Sequence, residues 1–326
     1  MRAAHRTHYG PPTVVSVVAR PRPRPGPGQV LVAVRAALVS IGDVHVIAGK
    51  PYLVRVTPFG GIPRPRQPVP GLTFAGEVVE VGAGVAELAP GDAVFGEAPG
   101  AFAEYTLASP KTVARKPATL TWTEAATVPW GFAPWLGLVE LGRVAKDEEV
   151  LILGASGGVG TWAVQIARSR GARVTAVCSG RNRDLVLGLG AERVIDYTAA
   201  DPLGEPGRYD LVFDAIGERS IAACTRVLRP KGRYVCCSGA GNVLWGPVGR
   251  MLAMAAQRPF RSAELHTVMA LSPSPLQLQG LAQLAESGQV RPVIERTYTL
   301  DELRGALAHV ATRRTRGQVV VEIQGS

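Results

Sequence analysis

Val150-Leu-Ile-Leu-Gly-Ala-Ser-Gly-Gly-Val-Gly160, continued by Thr161-Trp-Ala-Val-Gln-Ile-Ala-Arg168, decides the fold. Val150 to Leu153 is a short, wholly apolar run, the pattern of a strand covered on both faces. Residues 161 to 168 carry apolar side chains at helical spacing. Between them, Ala155, Ser156, Gly157, Gly158, Val159 and Gly160 form a glycine-rich turn with Ala155 in place of a first glycine. Gly157 lets the backbone approach a pyrophosphate, and Gly160 lets the helix pack closely on the strand. The amides and dipole at that helix N-terminus favour phosphate. Strand, turn and helix together predict a dinucleotide site rather than a plain connection.

The residues that follow bear on which dinucleotide. Ala172 to Val177 reads as the next parallel strand, ending in Cys178-Ser-Gly-Arg-Asn-Arg183. An NAD enzyme usually carries an acidic residue at this strand end, about 20 residues past the glycines, for the ribose 2′-hydroxyl. Ser179 and Arg181 stand here instead, and the first carboxylate is Asp184. A hydroxyl and a guanidinium suit a 2′-phosphate, which a carboxylate would repel. The expected cofactor is NADPH; the alternative for Arg181 and Arg183 is the start of a solvated helix.

The chain has 326 residues, enough for two domains, with 46% hydrophobic and 19% charged residues, so a large core is expected. It holds no apolar run of about 18 residues, hence no expected membrane span. Its first ten residues lack the apolar region of a signal peptide, and a cytoplasmic protein is expected. Cys178, Cys224, Cys236 and Cys237 lack C-x-x-C spacing and read as buried thiols. The net charge of +10 fits an anionic cofactor. Basic residues are scattered from Arg20 to Arg316 without a dense patch, which argues against a nucleic-acid face.

Two textures divide the chain. Residues 13–19 and 29–39 look like strands, and the intervening Arg20-Pro-Arg-Pro-Arg-Pro-Gly-Pro-Gly28 can be neither helix nor central strand. Further strands fit Leu72 to Val81, Asp92 to Phe95 and Ala101 to Leu107, giving an irregular, barrel-like β region. From about Thr121 the pattern becomes α/β. Helices fit Trp122 to Val128, Pro134 to Leu141, Arg181 to Leu187 and Arg219 to Leu228; strands fit Arg193 to Ile195, Tyr209 to Asp214 and Gly232 to Cys237. That alternation predicts a doubly wound parallel sheet. Ligands bind beyond the carboxyl ends of such strands, which points to Ile216, Gly217, Ser238 and Gly239 as lining residues. The segment Gly241 to Phe260 is rich in Leu, Met and Trp and reads as a helix over a cleft, at a subunit contact or in the core. A helix from Pro275, a strand from Val290, a helix from Leu300 and a strand from Gly317 close the chain.

Several stretches in this order resemble the medium-chain dehydrogenase/reductase superfamily, particularly its zinc-free quinone oxidoreductase branch. They are Pro70-Gly-Leu-Thr-Phe-Ala-Gly-Glu77, Pro90-Gly-Asp-Ala-Val-Phe95, Gly100-Ala-Phe-Ala-Glu-Tyr105, Gly154 to Gly160, Leu189-Gly-Ala191 with Val194-Ile-Asp-Tyr197, Leu228-Arg-Pro-Lys-Gly-Arg-Tyr234 and Thr315-Arg-Gly-Gln-Val-Val320. The resemblance implies a GroES-like catalytic domain (1–120 and 268–326) around a Rossmann NADPH-binding domain (121–267), with the active site between them and a homodimer as the assembly. It also implies that Ser179, Arg181 or Asn182, Tyr197 and Arg313 surround the adenosine 2′-phosphate. From residue type alone, Tyr197 could equally pack after its strand and Arg313 could be a helix C-terminal cation.

The superfamily's zinc branch ligates its metal through a Cys after the second strand and a Gly-His-Glu in the next turn. Here those regions read Ser40-Ile-Gly-Asp43 and Pro70-Gly-Leu-Thr73. His45 alone cannot hold Zn²⁺, and without a Lewis acid alcohol oxidation is disfavoured. The resemblance implies hydride transfer to a quinone or an α,β-unsaturated carbonyl. Tyr52 falls where zinc-free relatives often carry an active-site tyrosine, able to donate a hydrogen bond or proton; a packing tyrosine is the alternative. Ser40 stands where relatives frequently have Asn in contact with nicotinamide ribose or substrate. Gly131-Phe-Ala-Pro-Trp135 lacks the Thr that many relatives use at the carboxamide and reads as locally rearranged. The other readings are an enoyl-thioester reductase and a weakly catalytic NADPH-binding protein.

Overall fold

The computed structural model describes residues 1–57, 60–237, 244, 246, 248–268 and 272–323. The chain divides into two compact units. The first comprises 1–130, 271–288 and 294–326; the second comprises 131–270 and 289–293.

The second unit is the doubly wound sheet. Its six strands lie in the order Arg193–Asp196, Arg173–Cys178, Glu149–Leu153, Tyr209–Asp214, Leu228–Cys236 and Glu264–Thr267, all parallel. This is the 3-2-1-4-5-6 order of a Rossmann fold, whose order reverses at the first strand. Val150, Leu151 and Ile152 are fully buried, as their unbroken apolar run requires. One face of the sheet packs Leu151, Val212, Tyr234 and Leu265 into a single apolar cluster with Ile221 and Met254 from flanking helices. The stretch that reads as locally rearranged is a short helix, Phe132–Trp135, running into a π-helical segment, Leu136–Leu141. There a Cβ on Gly137 would stand 2.6 Å from the Phe213 ring, so only glycine lets the segment lie this close to the sheet.

The first unit is built on a seven-stranded sheet around the ten-residue strand Val30–Val39. One edge of that strand pairs antiparallel with Thr73–Val81. The other is shared, by Tyr105–Ala108 against its first half and Gln318–Glu322 against its second. Ala93–Glu97, Val113–Arg115 and Ile294–Thr299 complete the sheet. Phe74, Phe102, Leu307 and Val321 meet in the core of this unit.

Several expected elements are shorter than the sequence suggests. Residues 12–14 turn as a 3₁₀ helix at Pro12, so only Ser16–Ala19 is strand, paired with the unforeseen strand Arg2–His5. Of 101–107, only Tyr105 onward pairs in a strand of the sheet. The helix Trp122–Thr127 packs on Val30–Val39 and Thr73–Val81 and so lies with the first unit, although the α/β texture begins at residue 121. In the segment from Gly241 to Phe260, Val248–Gln257 is a helix.

Candidate functional site

The glycine turn is shaped by close backbone approaches. Gly154 has φ +80°, a region that favours glycine. The Ala155 amide donates to the Val177 carbonyl at 3.0 Å, tying the turn to the neighbouring strand. The helix Gly158–Ser169 is preceded by Gly157, which has no side chain to offer its first amides. A Cβ on Gly160 would lie 2.1 Å from the Gly154 carbonyl oxygen, whereas one on Gly157 would meet nothing nearer than 3.6 Å. Gly160 therefore sets helix against strand, and Gly157 keeps the space above the turn open.

At the end of the next strand, Asn182 joins two predicted residues. Its side-chain amide donates to Ser156 Oγ at 2.8 Å and to Ser179 Oγ at 3.3 Å, and it is buried. With both donors occupied, Asn182 can offer an anion only its carbonyl, Oδ1, which is buried without a partner. The geometry makes it a brace between glycine turn and strand end rather than a phosphate donor. Ser179, accepting from Asn182, keeps its hydroxyl proton to give. Arg181 and Tyr197 are exposed. Asp196, which sequence reasoning passed over, accepts from the Thr198 amide at 2.9 Å and its hydroxyl at 2.7 Å, and takes the Gly180 amide as well. These donors hold its carboxyl below the usual range. Its place on the third strand, seventeen positions past Ser179 and opposite Cys178 in the sheet register, hid it from a search of the second strand's end.

Ile216 and Gly217 form a turn past Tyr209–Asp214, with Gly217 at φ +74° and Ile216 exposed. A Cβ on Gly154 would be 2.7 Å from Ile216 Cγ1, so this turn adjoins the glycine turn. Ser238 and Gly239 lie outside the described residues.

The remaining predicted residues belong to the first unit. Ser40 caps the helix Ile41–Ala48 in a reciprocal box. Its hydroxyl donates to Asp43 Oδ2 at 2.6 Å and accepts from the Asp43 amide at 3.1 Å, while its own amide donates to Asp43 Oδ2 at 2.8 Å. Burial pushes the Asp43 carboxyl up to about 6 against the pull of those bonds and of Arg6. Tyr52 begins the 3₁₀ turn Tyr52–Val56 and is 42% exposed. The Arg55 guanidinium sits between two tyrosines, 4.7 Å from the Tyr52 ring and 4.4 Å from that of Tyr9, and donates to the Gly49 carbonyl at 3.1 Å. This clamp holds the Tyr52 ring through cation–π contact. Arg313 follows the helix Leu303–Ala311 with φ +56°, and together with burial its charge lowers the pKa of His45. Among the described residues no three His, Cys, Asp or Glu side chains converge as metal ligands.

Comparison with known proteins places this geometry. The family model of the alcohol dehydrogenase GroES-like domain matches residues 26–118, and that of zinc-binding dehydrogenase matches 189–321. A mitochondrial NAD(P)H oxidoreductase of Danio rerio is 32% identical over 282 residues, which cover 78% of this chain and 71% of that protein. The structure of the quinone oxidoreductase from Coxiella burnetii superposes with a TM-score of 0.84 at 29% identity, covering 99% of each chain. The chain belongs to the medium-chain dehydrogenase/reductase superfamily, in its quinone oxidoreductase branch. Another relative in the superfamily, 2-methylene-furan-3-one reductase of Solanum lycopersicum, is 30% identical over 338 residues, covering 98% of this chain and 79% of that one. As a member of this superfamily the chain is an NAD(P)-dependent oxidoreductase.

Proposed function

We propose that the protein is a zinc-independent, NADPH-dependent reductase of quinones or α,β-unsaturated carbonyls. The observation that carries the NADPH assignment is the brace in which Asn182 orients Ser156 and Ser179 beside an open glycine turn, with Arg181 at the position where an NAD enzyme carries an acid. The acceptor class is supported by the quinone and furanone reductases among the relatives. Zinc independence is supported by the donor set, because Ser40 and Asp43 bond each other where the zinc branch offers a thiolate.

The amides opening the helix Gly158–Ser169 would hold the pyrophosphate, and Ser179, Arg181 and Tyr197 the 2′-phosphate. Bound there, NADPH supplies a hydride. Tyr52 holds a proton on its hydroxyl and gives it to the acceptor's carbonyl oxygen as negative charge develops there. We place the enzyme in the cytoplasm, a reducing compartment that suits its cysteine thiols, and as a homodimer.

The deciding experiment is NADPH oxidation by chelator-treated protein with an ortho-quinone, a simple enone and an enoyl thioester. Turnover with the quinone or enone is expected, and Tyr52→Phe should lower kcat about a hundredfold. Silence with all three acceptors, or turnover restored only by added zinc, would overturn the assignment. Turnover of the enoyl thioester alone would move the protein to that substrate class.

A further inference from the structure

The fourth strand of the nucleotide sheet ends in a buried carboxylate that the reductase reading does not use. Asp214 is 1% exposed, and its two oxygens are divided between two tasks. Oδ1 accepts from the amides of Ile216 at 3.0 Å and Gly217 at 2.7 Å, holding the turn beyond the strand. Oδ2 accepts from the Tyr234 hydroxyl at 2.7 Å, on the adjacent strand Leu228–Cys236. Arg250, on the helix Val248–Gln257, donates to the Tyr234 oxygen and faces Oδ2 at 3.5 Å. A buried carboxylate is expensive unless paired and fully bonded, so the three side chains form one interdependent unit.

The position of that unit gives it a consequence. In a doubly wound sheet the glycine turn and second strand take the adenosine half of a dinucleotide, and the half beginning with the fourth strand takes the other nucleotide. The turn pinned by Oδ1 lies at the start of that second half, and Ile216 Cγ1 stands 2.7 Å from where a Cβ on Gly154 would be. Rotation of the carboxylate would move both amides and Ile216 with them. We propose that Tyr234 and Arg250 are positioning residues for the nicotinamide half of the cofactor, acting through Asp214 on the Ile216–Gly217 turn. The proposal rests on the NADPH assignment, and its test separates the two.

Tyr234→Phe, Arg250→Met and the conservative Arg250→Lys are titrated with NADPH and with 2′,5′-ADP, which carries only the adenosine half. Loss of one hydrogen bond in the unit should weaken NADPH about fivefold. Affinity for 2′,5′-ADP should stay within about twofold, and Arg250→Lys should recover most of the NADPH affinity. Equal weakening of both ligands would mean that these residues merely support the sheet, and no weakening of NADPH would mean that the turn does not depend on them; either overturns the proposal. Failure of the unaltered protein to bind either ligand would instead remove the NADPH assignment, and this inference with it.

Discussion

Asp43 makes the stability of the first unit depend on pH. Its folded pKa of about 6 stands above the 3.8 of a free aspartate, chiefly because burial penalises the charged form. Below the lower value the group is protonated whether folded or unfolded, and no penalty applies. Between the two, the folded state keeps a proton that the unfolded chain has lost; above the higher value the full cost, about 3 kcal/mol for a shift of roughly two units, is present. Stability contributed by this site is therefore lost as pH rises through 6. Asp43→Asn keeps an oxygen for the Ser40 amide and removes the charge. Its gain in Tm should be clearly larger at pH 8 than at pH 5, and an equal gain at both would show that the carboxylate carries no penalty. The identity of Asp43 was legible in the sequence as part of Ser40-Ile-Gly-Asp43; its burial was not, because burial depends on what the rest of the unit lays over it.

At the scale of the element, the strand–turn–helix from Glu149 to Ser169 was legible almost to the residue, since every signal in it is local. Two of its glycines, Gly157 and Gly160, nonetheless have separable duties. Gly160→Ala would drive a methyl into the Gly154 carbonyl and the Ala155 backbone, which cannot yield without parting helix from strand. A fall in Tm and loss of NADPH binding are expected together. Gly157→Ala places its methyl in open space, so Tm should hold while NADPH affinity falls about tenfold, the methyl occupying the approach of the pyrophosphate. Calorimetry and cofactor titration of the pair would check both statements; normal NADPH binding by Gly157→Ala would mean that no phosphate comes close. The helix Trp122–Thr127 shows the opposite case. Its capping box, Thr121 with Glu124, announces a helix, but nothing local says which core will bury Ala125 and Ala126.

For the whole molecule, the net charge of +10 is the property most readily tested. A field of that sign raises the encounter rate and affinity of an anionic cofactor, and salt screens it over about 10 Å at 0.1 M. The KM for NADPH should rise several-fold between low and physiological salt, while that for an uncharged quinone changes little. A flat response for NADPH would mean that the charge is spread too evenly to act on it. Among the described residues no helix is long and apolar enough to cross a membrane.

The sequence by itself determined the periodic and covalent features: the parallel sheet from its apolar runs, the glycine turn from residues two and three apart, the β-rich region before residue 120, and the basic rather than acidic character of the Ser179–Arg181 segment. These are written within a few residues of one another, where steric and hydrophobic preferences act directly. Tertiary structure alone decided what each polar group is spent on. It turned Asn182 from a phosphate ligand into a brace, stacked Arg55 between Tyr9 and Tyr52 and brought Asp196 up to Gly180. It also joined Asp214, Tyr234 and Arg250 across 36 residues. Each of those pairings is fixed by strand register and helix packing, and the partner of a buried donor is set by whichever distant segment that packing delivers.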